Sequence, residues 1–193
     1  MKKTRVRKNE QMFEWTNTYL VMGHFFKYPR LDFTLSEVAK ATNLSKSTVS
    51  GIIDNLRNAG FVSIIDLGVV YRIKANTDNW IYRREKIVYN YANIVRSNIV
   101  ENLVNKYQNP KCILLFGSYR RGEDDEDSDI DLAVEVPEGI EAGEFRSDEF
   151  KVFEDFVKRK VVVHVFTRKQ IDQNVFMGIA NGMVLYGLLE ARK

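Results

Sequence analysis

Residues 112–136 read CILLFGSYRRGEDDEDSDIDLAVEV, and the order of chemistry along them decides the second half of the chain. Cys112 to Phe116 is an unbroken apolar run, the pattern of a buried strand. It delivers the chain to Gly117 and Ser118, after which Tyr119 and Arg120 can start a helix. A glycine there lets the backbone approach a polyanion, a serine hydroxyl donates a hydrogen bond, and the free amides of a helix N-terminus add partial positive charge. Eleven residues beyond Ser118, Asp129-Ile130-Asp131 opens a second strand. Residues i and i+2 share a strand face, so Asp129 and Asp131 project together while Ile130, Leu132 and Val134 point into the core. Two adjacent carboxylates repel each other, and a divalent cation between them relieves that repulsion. Mg²⁺, or Mn²⁺ in its place, takes carboxylate and phosphate oxygens.

Around this pair the sequence places further candidates. Glu123 to Asp127 is a run of five carboxylates and reads as a solvated loop, with Arg120 and Arg121 either assisting phosphate or offsetting the run. Lys160 to Thr167 is a β-type run that puts His164 on one face with Val162 and Phe166, where an imidazole can act as a base but is a poor ligand for hard Mg²⁺. Glu135 shares the face of Asp131 and lies two steps further along the strand. Phe145 to Lys158 reads as a helix packed on the sheet, and Ile171 to Leu189 as a final apolar helix pair interrupted by Gly178 and Gly182. Cys112 is the single cysteine, a small core residue, so no disulfide framework exists and a reducing compartment is expected.

Working outward to the first half, Met12 to Phe26 carries Trp15, Tyr19, Met22 and Phe26 on one helical stripe, and Pro29 ends it. His24 within it reads as a packed or capping residue rather than a ligand, since no second ligand stands at metal-binding spacing. Two further helical patterns, Thr34 to Ala41 and Ser45 to Ala59, flank the turn Thr42-Asn43-Leu44. Glu37 lies in the first turn of one, and Ser45 is the N-cap of the other, which stops at Gly60. This is helix-turn-helix geometry, and Lys46, Ser47, Thr48 and Ser50 project from the start of its second helix as groups suited to groove contact. Phe61 to Ile65 and Val69 to Ile73, around Asp66-Leu67-Gly68, complete a wing hairpin. Trp80 to Tyr107 lacks Gly and Pro and reads as one long amphipathic helix that packs on both domains or pairs with a second copy. The division expected is therefore 1–79, a winged helix with a basic arm; 80–109, a linking helix; and 110–193, an α/β domain.

Charge separates these halves. Residues 1–109 hold 17 Lys and Arg against 9 Asp and Glu, or +8, and residues 110–193 hold 12 against 17, or −5. A basic half suits a polyanion such as duplex DNA, with Lys2, Lys3, Arg5, Arg7 and Lys8 forming a cationic arm. No stretch approaches the roughly 20 apolar residues of a membrane span, and the basic start leads into polar Asn9, Glu10 and Gln11 rather than an apolar run. A cytoplasmic protein with no membrane partner is expected.

Two resemblances follow from these residues. LSEVAKATNLSKSTVSGIIDNLRNAGFV resembles winged helix-turn-helix regulators of the MarR and ArsR type. GSYRRGEDDEDSDIDL resembles the signature of minimal nucleotidyltransferases of the DNA polymerase beta superfamily. The overall class is α+β: a winged helix, a long linking helix and a small α/β domain with a mixed sheet. By the second resemblance, Gly117 and Ser118 hold triphosphate oxygens, ATP being the expected nucleotide. Asp129 and Asp131 are the catalytic carboxylates that bind metal, and a third carboxylate is expected where His164 stands. Two functions are implied. One is a DNA-binding regulator whose nucleotide domain serves as sensor or remnant. The other is an active transferase that passes a nucleoside monophosphate to a protein, nucleic acid or small molecule. The family's antitoxin members make a HEPN-type toxin a conceivable partner of the second.

Overall fold

The computed structural model describes residues 16–190. The basic arm and the start of the first expected helix, Met12 to Trp15, lie outside the described residues. Helix α1 spans Asn17–Lys27 and is capped by Thr16, whose hydroxyl accepts from the Tyr19 amide. After the short strand β1 (Asp32–Phe33), α2 (Leu35–Thr42) starts in a capping box: Thr34 Oγ1 accepts from the Glu37 amide and the Glu37 carboxylate accepts from the Thr34 amide. Asn43 takes the left-handed conformation that ends α2, and Ser45 caps α3 (Lys46–Asn58). Strands β2 (Val62–Asp66) and β3 (Tyr71–Ala75) form an antiparallel hairpin joined by β1 in the order β1-β3-β2. Helices and hairpin enclose Val21, Phe25, Phe26, Val38, Val49, Ile53, Phe61 and Ile73, the core of a winged helix. His24 packs on Phe33 with ring centroids 4.3 Å apart, and burial pushes its pKa down to about 4, as suits a neutral packing residue.

The expectation of one continuous helix from Trp80 to Tyr107 does not hold. The chain forms α4 (Trp80–Arg96) and α5 (Ile99–Tyr107), broken at Ser97-Asn98. Ser97 leaves helical geometry at ψ 163°, its hydroxyl donates to the Ile94 carbonyl at 2.6 Å, and it accepts from the Ile99 amide. A small polar side chain has bonded locally to the backbone and ended one helix while starting another. The packing function survives the break. Tyr82 and Tyr89 of α4 join the winged-helix core, and Ile94 joins Ile99 and Leu103 of α5 in the second core.

The second unit is built on β4 (Cys112–Phe116), α6 (Gly117–Arg121), β5 (Asp129–Glu135), β6 (Gly143–Phe145), a 3-10 turn (Asp148–Phe150), α7 (Lys151–Val157), β7 (Lys160–Phe166), α8 (Gln173–Ala180) and β8 (Met183–Gly187). The strands lie in the order β6-β7-β5-β4-β8, with β5 and β7 parallel and the other pairs antiparallel, which is a mixed sheet. Two expectations need correcting. The apolar segment before the C-terminus is one helix and one strand, because Met183 to Gly187 pairs with the free edge of β4 (Leu115 opposite Met183), whose buried backbone groups need partners. The helix expected from Phe145 begins only at Lys151, since Phe145 ends β6 with its ring against the core.

One sheet face, with Ile113, Leu115, Ile130, Leu132, Val134, Val161, Val163 and Val165, packs against α5, Phe150 and Val157. The opposite face is covered at one end by Ile179 of α8 over Cys112, Leu114, Ala133 and Phe166. Cys112 is fully buried, and burial together with Glu135 beside it pushes the thiol up to about 12, which leaves it an inert core residue. No helix among the described residues is long and apolar enough to cross a membrane.

The acidic run between α6 and β5 is not a solvated loop. Asp124 is 3% exposed and meets Lys86 Nζ at 3.2 Å and Arg159 Nε at 3.1 Å, both of them buried. Lys86 also donates to the Asp124 carbonyl, Asn90 Nδ2 donates to Asp124 Oδ1 at 2.8 Å, and Arg159 donates onward to the Lys27 carbonyl of α1 at 2.9 Å. Outside this knot, Arg30 pairs with Asp125 at 3.3 Å, with Glu126 at 3.0 Å, and with Asp127. The carboxylates thus clamp the winged helix and α4 onto the second unit.

Candidate active site

The uncovered end of the sheet face gathers the sequence candidates. Strands β4 and β5 place Phe116 opposite Asp131, and β7 places Val162 opposite Asp131 and His164 opposite Ala133, so Asp129, Asp131 and His164 share that face. At the end of β4 the chain turns through Gly117 at φ +73°, a conformation glycine adopts without strain. A Cβ at Gly117 would overlap Asp131 Oδ2 and lie 3.0 Å from its Cγ, so the turn and the carboxylate occupy one tight space. Ser118 follows, half-buried, and among the described residues its hydroxyl makes no hydrogen bond to the protein. Asp131 sits against imidazole: His164 Nε2 is 3.1 Å from Asp131 Oδ1. Asp129 sits against a cation: Arg146 Nη2 is 2.9 Å from Asp129 Oδ2, which holds the guanidinium above its ordinary pKa.

Two members of the site escaped the sequence reading. Glu144 of β6 lies opposite His164, with its Oε1 3.3 Å from His164 Nδ1, and Arg146 follows directly after that strand. Glu144, Phe145 and Arg146 alternate polar, apolar, polar, which is the signature of a half-buried strand. Three residues are too few to separate it from a loop. Glu135 is not part of the site; it is buried at the far end of β5 with Arg168 Nε at 2.9 Å and Lys111 Nζ at 3.6 Å. Arg121 is held by Glu123 at 2.7 Å, and Arg120 has its Nε buried with no hydrogen-bond partner among the described residues.

The donor set fits a divalent cation at the Asp pair. Both carboxylates project from one strand face, one paired with a guanidinium and the other with an imidazole, and Asp131 lies against the Gly117 turn. In the winged helix, Lys46, Ser47 and Thr48 are exposed and Ser50 is half-buried. The Ser47 and Thr48 hydroxyls share the N-cap with Ser45, at 2.9 Å and 2.8 Å from its Oγ. The wing tip is apolar. Leu67, Val69, Val70 and Tyr71 are exposed there, and Arg72 behind them is tied to Asp32 and Glu37.

Fold and site together define a winged helix joined to a nucleotide-transfer type of α/β domain, and comparison with known proteins agrees. The nucleotidyltransferase domain family matches residues 96–186, and the IclR helix-turn-helix domain matches residues 21–63, which refines the MarR/ArsR-like resemblance to the IclR type. A Methanocaldococcus jannaschii protein named "putative protein adenylyltransferase" is 33% identical over 81 residues, covering 38% of this chain and 80% of that protein. The chain belongs to the nucleotidyltransferase family.

Proposed function

We propose that this protein is a DNA-binding regulator whose C-terminal domain binds a nucleoside triphosphate, ATP, together with Mg²⁺ or Mn²⁺. The observation that supports the nucleotide half is the close approach of the Asp131 carboxylate to the Gly117 turn, the two groups to which metal and phosphate are assigned here. Asp129 and Asp131 would hold the metal, and Gly117 and Ser118 the phosphates. When bound, the metal supplies charge stabilisation at the phosphates. His164 stands where a third carboxylate would complete the acidic set, and its two ring nitrogens are occupied by Asp131 and Glu144. The site therefore binds nucleotide without transferring it.

A second reading, transfer of a nucleoside monophosphate to a protein, draws support from the same imidazole and from the name of the M. jannaschii relative. Where metal or substrate draws one of its two carboxylates away, the freed ring nitrogen of His164 is able to take a proton from an attacking hydroxyl. Incubation with labelled ATP and Mg²⁺ or Mn²⁺, with cell protein as acceptor, separates the two. Binding without label transfer is expected of the native chain, and His164→Asp is expected to create transfer. Labelling by the native chain that His164→Ala abolishes would establish the second reading, with a toxin-like protein among the acceptors to test.

The DNA half rests on the exposed start of α3. Lys46 stands at the helix N-terminus among small hydroxyl side chains, an arrangement suited to phosphate contact beside a groove. The apolar wing tip offers no cation, so α3 and the basic arm carry the electrostatic share. In a salt-titrated binding assay on genomic fragments, Lys46→Ala is expected to weaken binding to all sequences and to lower the salt slope by about one unit. An unchanged slope would assign α3 to a protein contact. A second copy is a further proposed partner. Trp80, Val88, Tyr91 and Val95 are exposed along one stripe of α4, within the 80–107 span, and support that reading.

A further inference from the structure

The residues around the Asp pair are unequal in a way that bears on how a triphosphate is neutralised. Two-metal sites set their ions roughly 3.5–4 Å apart and use carboxylates enough to bridge and complete both. On this face Asp131 adjoins the Gly117 turn, and Asp129 lies two residues before Asp131 on the same strand face. Glu135 is buried on Arg168, and Glu144 lies across the His164 ring from Asp131. Among the described residues, no three His, Cys, Asp or Glu side chains converge on one point. The ligands suffice for one hard cation. At the same edge, the Arg146 guanidinium rests on Asp129 Oδ2, with its side chain 58% exposed.

Resting on the nucleotide site proposed above, we infer that it takes one divalent cation and that Arg146 supplies the second positive group on the triphosphate. An arginine never loses its charge at working pH, and its planar fork of N–H donors matches two phosphate oxygens. In the nucleotide-free protein that charge is kept beside the site by Asp129. When Asp129 gives its oxygens to a cation, the guanidinium loses its partner next to the phosphates that arrive with that cation. The contact with Asp129 is thus a holding position, and Arg146 belongs to nucleotide binding rather than to the fold. An exposed ion pair of this kind contributes little stability by itself, so its removal leaves the domain folded.

The test uses the full chain, Mn²⁺ and a non-hydrolysable ATP analogue. Paramagnetic counting of Mn²⁺ at saturating analogue is expected to give one ion per bound nucleotide. Arg146→Ala is expected to weaken analogue binding roughly tenfold or more, with partial recovery in Arg146→Lys, while Mn²⁺ alone binds the alanine variant more tightly because Asp129 is released. Thermal melting of the variants checks that the fold is unchanged. Two Mn²⁺ per nucleotide in the native chain, or analogue affinity unchanged in Arg146→Ala, would overturn the role of Arg146 while leaving the nucleotide site standing. Failure of the native chain to bind the analogue with Mn²⁺ would overturn both.

Discussion

Replacing Asp124 by alanine is expected to destabilise the protein by about 3–5 kcal/mol, because it leaves two buried cations without their anion. Lys86 is 1% exposed and Arg159 4% exposed, and both point at this one carboxylate. Burial already holds the Lys86 ammonium below its ordinary pKa, with Asp124 as the leading opposing influence. Without that carboxylate the desolvation cost stands uncompensated and the two cations repel across the gap. Asn90 loses an acceptor as well. Since single domains are stable by only about 5–15 kcal/mol, a loss of this size is a large share of the whole. Denaturant unfolding of the native chain and the variant measures it, and a loss under about 1 kcal/mol would show that water or rearrangement satisfies the two cations. Asp124 lies in the segment joining the Gly117-Ser118 turn to Asp129, so the clamp that holds the winged helix also fixes the loop between the two halves of the nucleotide motif.

The second large effect is expected at Gly117. An alanine there meets Asp131 Oδ2 and must also adopt φ +73°. The left-handed backbone costs a residue with a Cβ on the order of 1 kcal/mol, and the overlap forces either the turn or the carboxylate to move. Either movement separates the backbone proposed to hold phosphate from the carboxylate proposed to hold metal. Gly117→Ala should therefore lose nucleotide affinity far more than Ser118→Ala, which removes a single hydroxyl with no steric consequence. Calorimetry of both with MgATP decides it, and equal losses would mean that the turn does not set the position of Asp131.

What could be read from the sequence was local. Ser45 as a cap, Glu37 in a first turn and the order strand, Gly-Ser, helix, strand each depend on neighbours within a few residues, and each appears in the fold, the helix starting at Gly117 rather than at Tyr119. What could not be read depended on distant partners. The burial of Asp124 requires Lys86 and Arg159, which lie 38 and 35 residues away and give no local sign of turning inward. The strand at Met183 to Gly187 exists because β4 has a free edge, a property of the sheet and not of the segment. The break at Ser97-Asn98 did carry a local signal, two small polar residues before Ile99, which the apolar periodicity on either side outweighed. At the site, His164 was placed correctly on the face of the Asp pair, while Glu144 sat on an edge strand too short to register as one and Arg146 directly after it.

The central claim is that Asp129 and Asp131, beside Gly117 and Ser118, bind nucleotide through a divalent metal. Titration calorimetry of MgATP into the native chain and into the Asp129→Asn, Asp131→Asn double variant tests it most directly, with EDTA as the metal-free reference. Metal-dependent binding is expected of the native chain and none of the double variant, with both proteins folded by circular dichroism. Equal affinity in the two, or native binding that persists in EDTA, would contradict it.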